Sequence, residues 1–330
     1  MTFNSTYYLF TTMLFMSLVV ISSANTWLGI WMGLELNLMS FIPILAGSES
    51  FYKAISCLSY FLIQSLSTIT LITSIFLVTY SLQYTHSMQM FILNLSFLMK
   101  IGSSPFHMWM PSVMVNLSWI NCLILLTIQK LGPLIALSNM MYWPYMHIVI
   151  VLNLMVGTLG SMNQSSLRKL MAYSSITHNG WMLLGIIEGL NYWLLYFINY
   201  CILNSILIMI FYFMGTSSIN QFSSSSTTPS MKMMISLSFL SLSGMPPLIG
   251  FLPKWLILEK MLETSMYFTM IMMIMFTLLS LFIYLRITFN LMVLHSCFMK
   301  MNYWKMVFSN KMLMINWLQL TLMFIFPIIM

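Results

Sequence analysis

Between Lys53 and Lys100 the chain runs for more than forty residues without an aspartate, glutamate, lysine or arginine, and no charged side chain precedes Glu35. A run of that length exceeds the roughly 20 apolar residues that carry a helix across a hydrocarbon layer. Inside such a layer every backbone N–H and C=O must be paired within the protein. Composition agrees, with 60% hydrophobic and only 5% charged residues against about 25% charged in soluble domains. The fold class expected is an all-α polytopic membrane protein. Reading from one polar break to the next gives eleven spans, centred near Leu14, Leu36, Ser67, Met99, Ile128, Val151, Met182, Leu203, Gly244, Met275 and Leu320. The fourth and ninth are unusually long. MTFNSTYYLF at the N-terminus has neither a basic region nor a small-residue cleavage site, so no removable signal or transit peptide is expected.

The net charge of +7 reports topology. Loops after even-numbered spans hold Lys53, Arg168, Lys169, Lys232, Lys300, Lys305 and Lys311, and Arg286 ends span ten on that side. Loops after odd-numbered spans hold Lys260 together with Glu188, Glu259 and Glu263. Since Lys and Arg collect on the cytoplasm-like face, the N-terminus is expected there, which in a mitochondrion is the matrix, and the C-terminus on the opposite face. No basic stripe interleaved with aromatics exists, so nucleic acid is not an expected partner. Cys57, Cys122, Cys201 and Cys297 fall one to a segment, without a metal-ligand spacing. The five histidines share no repeated spacing that would suit a haem, and no nucleotide-binding glycine loop is present. No cofactor is expected in this chain. Its 38 methionines and lack of aspartate suggest an AT-rich organellar gene in which an extra codon reads as methionine.

Three lysines stand inside spans, each beside a helix defect. Lys100 precedes Gly102-Ser103-Ser104-Pro105, Lys130 precedes Gly132-Pro133, and Lys254 follows a stretch holding Gly244, Pro246, Pro247, Gly250 and Pro253. A lysine at the bilayer centre costs about 2.5–3.5 kcal/mol on insertion scales, and an ionisable group retained there is by default functional. Proline interrupts helices, and irregular backbone at membrane depth survives only when buried in protein or lining a wet cavity. Glu35, flanked by Leu34 and Leu36, must face a polar interior or a cation. The preceding Gly29 and Gly33 form a GxxxG that reads as a packing seam. His107 is either a core histidine hydrogen-bonded locally or a proton relay. Spans four and nine differ in parity, so their breaks run in opposite directions, the pattern of an inverted-topology repeat with an ion path at its broken helices. One half supplies Lys100 and Lys130, the other Lys254. Burial disfavours the charged forms of lysine and glutamate while an opposite charge favours them, so such groups can exchange protons as their separation or hydration changes. Charge on Lys100 also repels charge from Lys130 in a low-dielectric interior.

The motifs GLELN (Gly33 to Asn37), MKIGSSPFHMWMPS (Met99 to Ser112), QKLGP (Gln129 to Pro133), LRKLMAYSSITHNGWM (Leu167 to Met182) and SGMPPLIGFLPKW (Ser243 to Trp255) together resemble one family over the whole chain. It is the arthropod-like form of NADH dehydrogenase subunit 2, a mitochondrially encoded membrane-arm subunit of respiratory complex I related to cation/proton antiporter subunits. The resemblance implies an antiporter-like bundle with two inverted five-helix repeats. The first half-repeat would span approximately residues 3–140 with its broken helix at 88–116, the second 143–289 with its broken helix at 231–263, and a final helix 312–329 would follow. Glu35 matches the family's charge-coupling glutamate, Lys100 and Lys254 the lysines of the two broken helices, and Lys130 the connecting lysine. Ser243 stands where relatives commonly carry a second glycine. The implied function is proton translocation in NADH:ubiquinone reductase of the mitochondrial inner membrane. NADH, FMN, iron–sulfur clusters and ubiquinone would belong to other subunits, and the partners would be neighbouring membrane-arm subunits and lipids such as cardiolipin. A free-standing secondary cation/proton antiporter is the alternative.

Overall fold

The computed structural model describes residues 5–47, 51–80, 86–139, 145–219, 221 and 229–293. Among them the regular structure is helical: α1 Ser5–Ser23, α2 Trp27–Ala46, α3 Phe51–Tyr80, α4 His86–Ile101, α5 Trp109–Asn116, α6 Trp119–Leu126, α7 Ile128–Ser138, α8 Met146–Met162, α9 Leu167–Glu188, α10 Leu190–Met214, α11 Pro229–Ser243, α12 Leu252–Glu263 and α13 Tyr267–Val293. Among the described residues six stretches, in α1, α2, α3, α10, α13 and in α6 continued through α7, are long and apolar enough to cross a membrane by length and composition. Large apolar side chains such as Phe15, Leu58, Leu62, Phe282 and Phe289 lie exposed on the helices, as a lipid-facing surface requires. The expected final helix 312–329, with Lys300, Lys305, Lys311, His295 and Cys297, lies outside the described residues.

Serine and threonine are tolerated at this depth because their hydroxyls donate to carbonyls of the preceding turn. Ser17 donates to Leu14, Ser67 to Gln64, Ser96 to Leu93 and Ser175 to Ala172, each at 2.6 Å. A hydroxyl closed onto its own helix exposes no unpaired group to hydrocarbon.

Contacts divide the chain into two compact units, Met1–Val149 and Ile150–Met330. In the first, α1 packs along α2, and α7 touches α1, α2 and α4. The GxxxG is a close-approach seam: a Cβ on Gly33 would stand 2.5 Å from Ile21 Cγ1. In the second, α9 pairs with α10, α11 with α13, and α12 packs on α9, α10 and α13.

Each unit contains one helix broken at a left-handed glycine, and both of these breaks open with the same cap. After α4, Gly102 takes φ +72°, its N–H bonds the Met99 carbonyl at 3.2 Å, and the Ser103 N–H bonds that of Leu98 at 3.1 Å. After α11, Gly244 takes φ +82°, its N–H bonds Ser241 at 3.1 Å, and the Met245 N–H bonds Leu240 at 3.2 Å. A left-handed residue is needed to turn the chain back onto its last carbonyls, and glycine adopts that conformation without steric cost. Past the first break the chain resumes at α5. Past the second, a short 3₁₀ turn over Ile249–Phe251 leads into α12, with Gly250 pressed against the Ser241 carbonyl where no side chain fits.

The third defect is not where the glycine and proline stand. Pro133 lies inside α7, and the interruption falls at Thr127, between α6 and α7. A proline ring crowds the carbonyl four residues earlier, here Gln129, and the interruption lies in the turn just upstream of it. Thr127 helps close that turn by donating its hydroxyl to the Leu123 carbonyl at 2.7 Å.

Candidate functional site

The first unit brings Lys100 and Lys130 to one cavity. Lys100, on the last turn of α4, is 6% exposed, and Lys130, one turn past the Thr127 interruption, is 2% exposed. Both line a space of about 10 Å³ together with Asn37, Tyr60, Gln64 and Gln129, near the lower bound for holding one water. The polar wall is locked. Asn37 Nδ2 donates to Gln129 Oε1 at 3.0 Å, and Gln129 Nε2 returns a bond to Asn37 Oδ1 at 3.2 Å. The Tyr60 hydroxyl donates to the same Gln129 oxygen at 3.0 Å. Gln64 Nε2 donates to the Lys100 carbonyl at 3.3 Å, covering one of the acceptors that a helix end leaves open. Trp109, at the start of α5, donates its Nε1–H to the Met99 carbonyl at 3.2 Å and meets Tyr60 edge-on at 5.8 Å, so the far side of the break is tied to the near side. The two lysines thus share one water-sized polar space.

Glu35, on α2, is half-buried. Among the described residues no cation lies within 4.0 Å of its carboxylate. Glu35 falls in the same unit as Lys100 and Lys130 but does not line their cavity. His107 stands apart from their cavity lining, with Nδ1 at 3.2 Å from the Pro105 carbonyl.

The second unit builds its site on helices α8 to α13. Lys254, 6% exposed, reaches back from α12 and donates from Nζ to the Ser243 carbonyl at 2.7 Å. That carbonyl ends α11, where backbone acceptors are unpaired and the helix dipole favours a cation. Gly244 makes the approach possible, since a Cβ there would lie 2.9 Å from Lys254 Nζ. Ser243 is accommodated at this end of α11 by donating its hydroxyl to the Leu240 carbonyl at 2.7 Å.

Two residues that sequence reasoning passed over belong to this site. His178, 6% exposed, shares with Lys254 a cavity of about 10 Å³ lined also by Thr158, Thr177, Thr277, Ser280 and Tyr284. It also lines a second space of about 10 Å³ with Tyr196, Asn199 and Tyr200. Its Nδ1 is 2.7 Å from the Tyr196 hydroxyl. Trp181 presents its ring to Lys254 Nζ at 5.7 Å. A signal was present: Ser174, His178 and Trp181 recur at helical spacing, so α9 carries a polar stripe on one face. Among the described residues no group of three His, Cys, Asp or Glu side chains could hold a metal ion.

Residues 24–282 match the family described as NADH:quinone oxidoreductase/Mrp antiporter, TM. The chain is 38% identical over 312 residues to NADH-ubiquinone oxidoreductase chain 2 of Anopheles gambiae, covering 92% of this chain and 91% of the relative. To the protein of the same description in Locusta migratoria it is 38% identical, covering 88% and 86%. In fold it is similar to a chain in respiratory complex I from Thermus thermophilus, with a TM-score of 0.85 at 19% identity over 98% of this chain and 79% of that one. A chain of the Mrp complex from a Dietzia species follows at 0.74 and 15% identity, over 85% and 59%.

Proposed function

Because this chain belongs to the NADH:quinone oxidoreductase/Mrp antiporter membrane family, we propose that it is a proton-translocating membrane subunit of NADH:ubiquinone oxidoreductase. The observation that carries the reading is the pair of broken helices, each with a buried lysine beside a polar cavity large enough for about one water. Glu35, Lys100, Lys130 and Lys254 are the proton-carrying groups. His107 fixes the turn after Pro105. The chain itself supplies buried bases, polar walls and exclusion of bulk water, while NADH, FMN, iron–sulfur clusters and ubiquinone act on other subunits. Its partners are neighbouring membrane-arm subunits and lipids such as cardiolipin.

The same proposal takes the chain as a single antiporter-like domain of eleven spans in the mitochondrial inner membrane. Two inverted five-helix repeats cover approximately residues 3–140 and 143–289, and a helix at 312–329 closes the chain. The identical glycine caps of α4 and α11 support the repeat, and the Lys and Arg distribution supports a matrix N-terminus and a C-terminus on the intermembrane-space side.

A free-standing cation/proton antiporter would use the same lysines. The full-length correspondence to relatives named as oxidoreductase chain 2 favours the complex. Native electrophoresis separates the two: the chain co-migrates with NADH dehydrogenase activity, and migration at its own mass overturns the reading. In the assembled complex, Lys100→Ala lowers proton pumping at least tenfold while NADH oxidation sites on other subunits remain loaded. Unchanged pumping overturns the assignment of Lys100.

A further inference from the structure

Lys254 does not rest on a carbonyl alone. Its ammonium lies 5.7 Å from the centroid of the Trp181 ring, within the roughly 6 Å over which the negative face of an indole attracts a cation. The Trp181 side chain is 2% exposed and stacks almost parallel on Tyr196, with 6.3 Å between centroids and 6° between planes. Tyr196 in turn places its hydroxyl 2.7 Å from His178 Nδ1. Ammonium, indole, phenol and imidazole thus follow one another from α12 to α9, to α10 and back to α9.

We infer that Trp181 is a positioning residue for Lys254: its ring face seats the ammonium at the carboxyl end of α11, and its stack on Tyr196 holds that face in register with His178. The inference rests on the proton-translocation reading and deepens it by naming what holds the lysine when it is charged. Ser243 supplies one acceptor at 2.7 Å, while an ammonium has three N–H donors. In a space that holds about one water the remaining charge needs a partner that costs no further backbone acceptors, and an aromatic face meets that need. An apolar residue of the same bulk would fill the volume but offer the charge no negative face. The Tyr196 ring that stacks on Trp181 is thus also hydrogen-bonded to His178, and the cavity shared by His178 and Lys254 lies beside it.

The test uses the assembled complex in proteoliposomes, with proton pumping and NADH oxidation measured separately. Trp181→Phe keeps a weaker ring face, and its pumping-to-oxidation ratio falls about twofold. Trp181→Leu removes the face, and the ratio falls roughly 5- to 30-fold, the factor expected for a desolvated cation–π contact. A double-mutant cycle on the thermal midpoint of the complex supplies the reading that packing alone cannot imitate. Trp181→Leu lowers the midpoint more beside Lys254 than in a Lys254→Met background. Equal losses in the two backgrounds, or equal pumping by the Phe and Leu variants, overturn the seat. If the Leu variant does not assemble, Trp181→Phe is compared in the same two backgrounds, and an unchanged ratio beside Lys254 overturns it. Failure of the underlying reading looks different: Lys254→Met itself then pumps normally.

Discussion

Replacing Gly244 by alanine tests the geometry of the second break at one atom. The substitution asks an L-residue to hold φ +82°, which costs roughly 1–2 kcal/mol in the left-handed region. The added Cβ lies 2.9 Å from Lys254 Nζ and 3.0 Å from its Cδ, so the lysine chain must shift, and a shift that carries Nζ off the Ser243 carbonyl is the outcome the substitution tests. Losing a hydrogen bond from a charged donor adds about 1.5–3 kcal/mol. The sum is roughly 2.5–5 kcal/mol, of which only the second part concerns the lysine. Gly215→Ala isolates the first part, because Gly215 has φ +64° and a Cβ added there would meet nothing within 4 Å. Gly102→Ala is intermediate: at φ +72° its Cβ would meet the Trp109 ring at 3.1 Å and Met110 Sδ at 3.2 Å, but no lysine atom. Thermal midpoints of the assembled complex and its proton pumping per NADH oxidised are the two readouts. All three variants lose stability, Gly215→Ala least. Pumping falls about 10- to 100-fold in Gly244→Ala, since 1.4 kcal/mol is a factor of ten, and stays near the native value in Gly215→Ala. Equal pumping by the Gly244 and Gly215 variants would refute the claim that the glycine exists to admit the lysine.

Gln129→Leu leaves Asn37 and Tyr60 without their shared partner, and at about 1–3 kcal/mol per unsatisfied buried group the thermal midpoint of the complex drops while Asn37→Leu combined with Tyr60→Phe recovers part of it. Gly33→Ala sets a Cβ 2.5 Å from Ile21 Cγ1 and 3.2 Å from the Ser17 carbonyl; separating α1 from α2 costs about 1–3 kcal/mol, and Ile21→Ala in the same chain relieves it, as thermal denaturation of the double variant shows. Glu188, at the turn between α9 and α10 outside the spans, has its carboxyl raised above the ordinary 4.5 chiefly by burial, opposed by its hydrogen bond from Thr264 and by Lys260. A carboxyl raised in the folded state binds its proton more tightly there than when unfolded, so its contribution is most favourable below 4.5 and is lost as pH climbs through the folded value. Glu188→Gln removes that loss: its thermal midpoint exceeds the native one at neutral pH and the two curves converge in acid.

The all-helical membrane character was legible because hydropathy acts over about twenty residues at a time, and the two broken helices because glycine and proline act on the backbone at their own position. The third defect was misplaced for a physical reason. A proline crowds the carbonyl four residues upstream, here Gln129, and the interruption falls two residues earlier still, at Thr127, so Gly132-Pro133 does not mark its position. Glu35, Lys100, Lys130 and Lys254 stood out because a charge in an apolar run needs no partner to be noticed. Gln129, Tyr60 and Asn37 did not, because a neutral amide or phenol in a span carries meaning only through its partner, and Asn37 and Gln129 are 92 residues apart. His178 was discounted for lack of a second histidine at a matching spacing. Its partner is a tyrosine 18 residues on, on the next helix, and the stripe Ser174, His178, Trp181 along α9 was the available clue.

The two breaks use one backbone device and opposite ways of supplying a cation. In α4 the lysine precedes the glycine by two residues, so Lys100 leaves the last helical turn itself, the place where a cation complements the negative end of the helix. In α11 that turn carries no lysine, and Lys254 arrives ten residues after the glycine, from α12, to occupy the carbonyl of Ser243. An unbroken helix would have every mid-membrane carbonyl committed to an N–H four residues on, leaving a buried ammonium only side chains to bind. Ending the helix releases acceptors at the depth where a charge has no water, and the left-handed glycine ends it within one residue. The defect and the lysine are therefore parts of one solution to the same desolvation problem. At the second break the glycine also leaves the lysine's path clear: a methyl group at residue 244 would meet Lys254, whereas one at residue 215 would meet nothing within 4 Å.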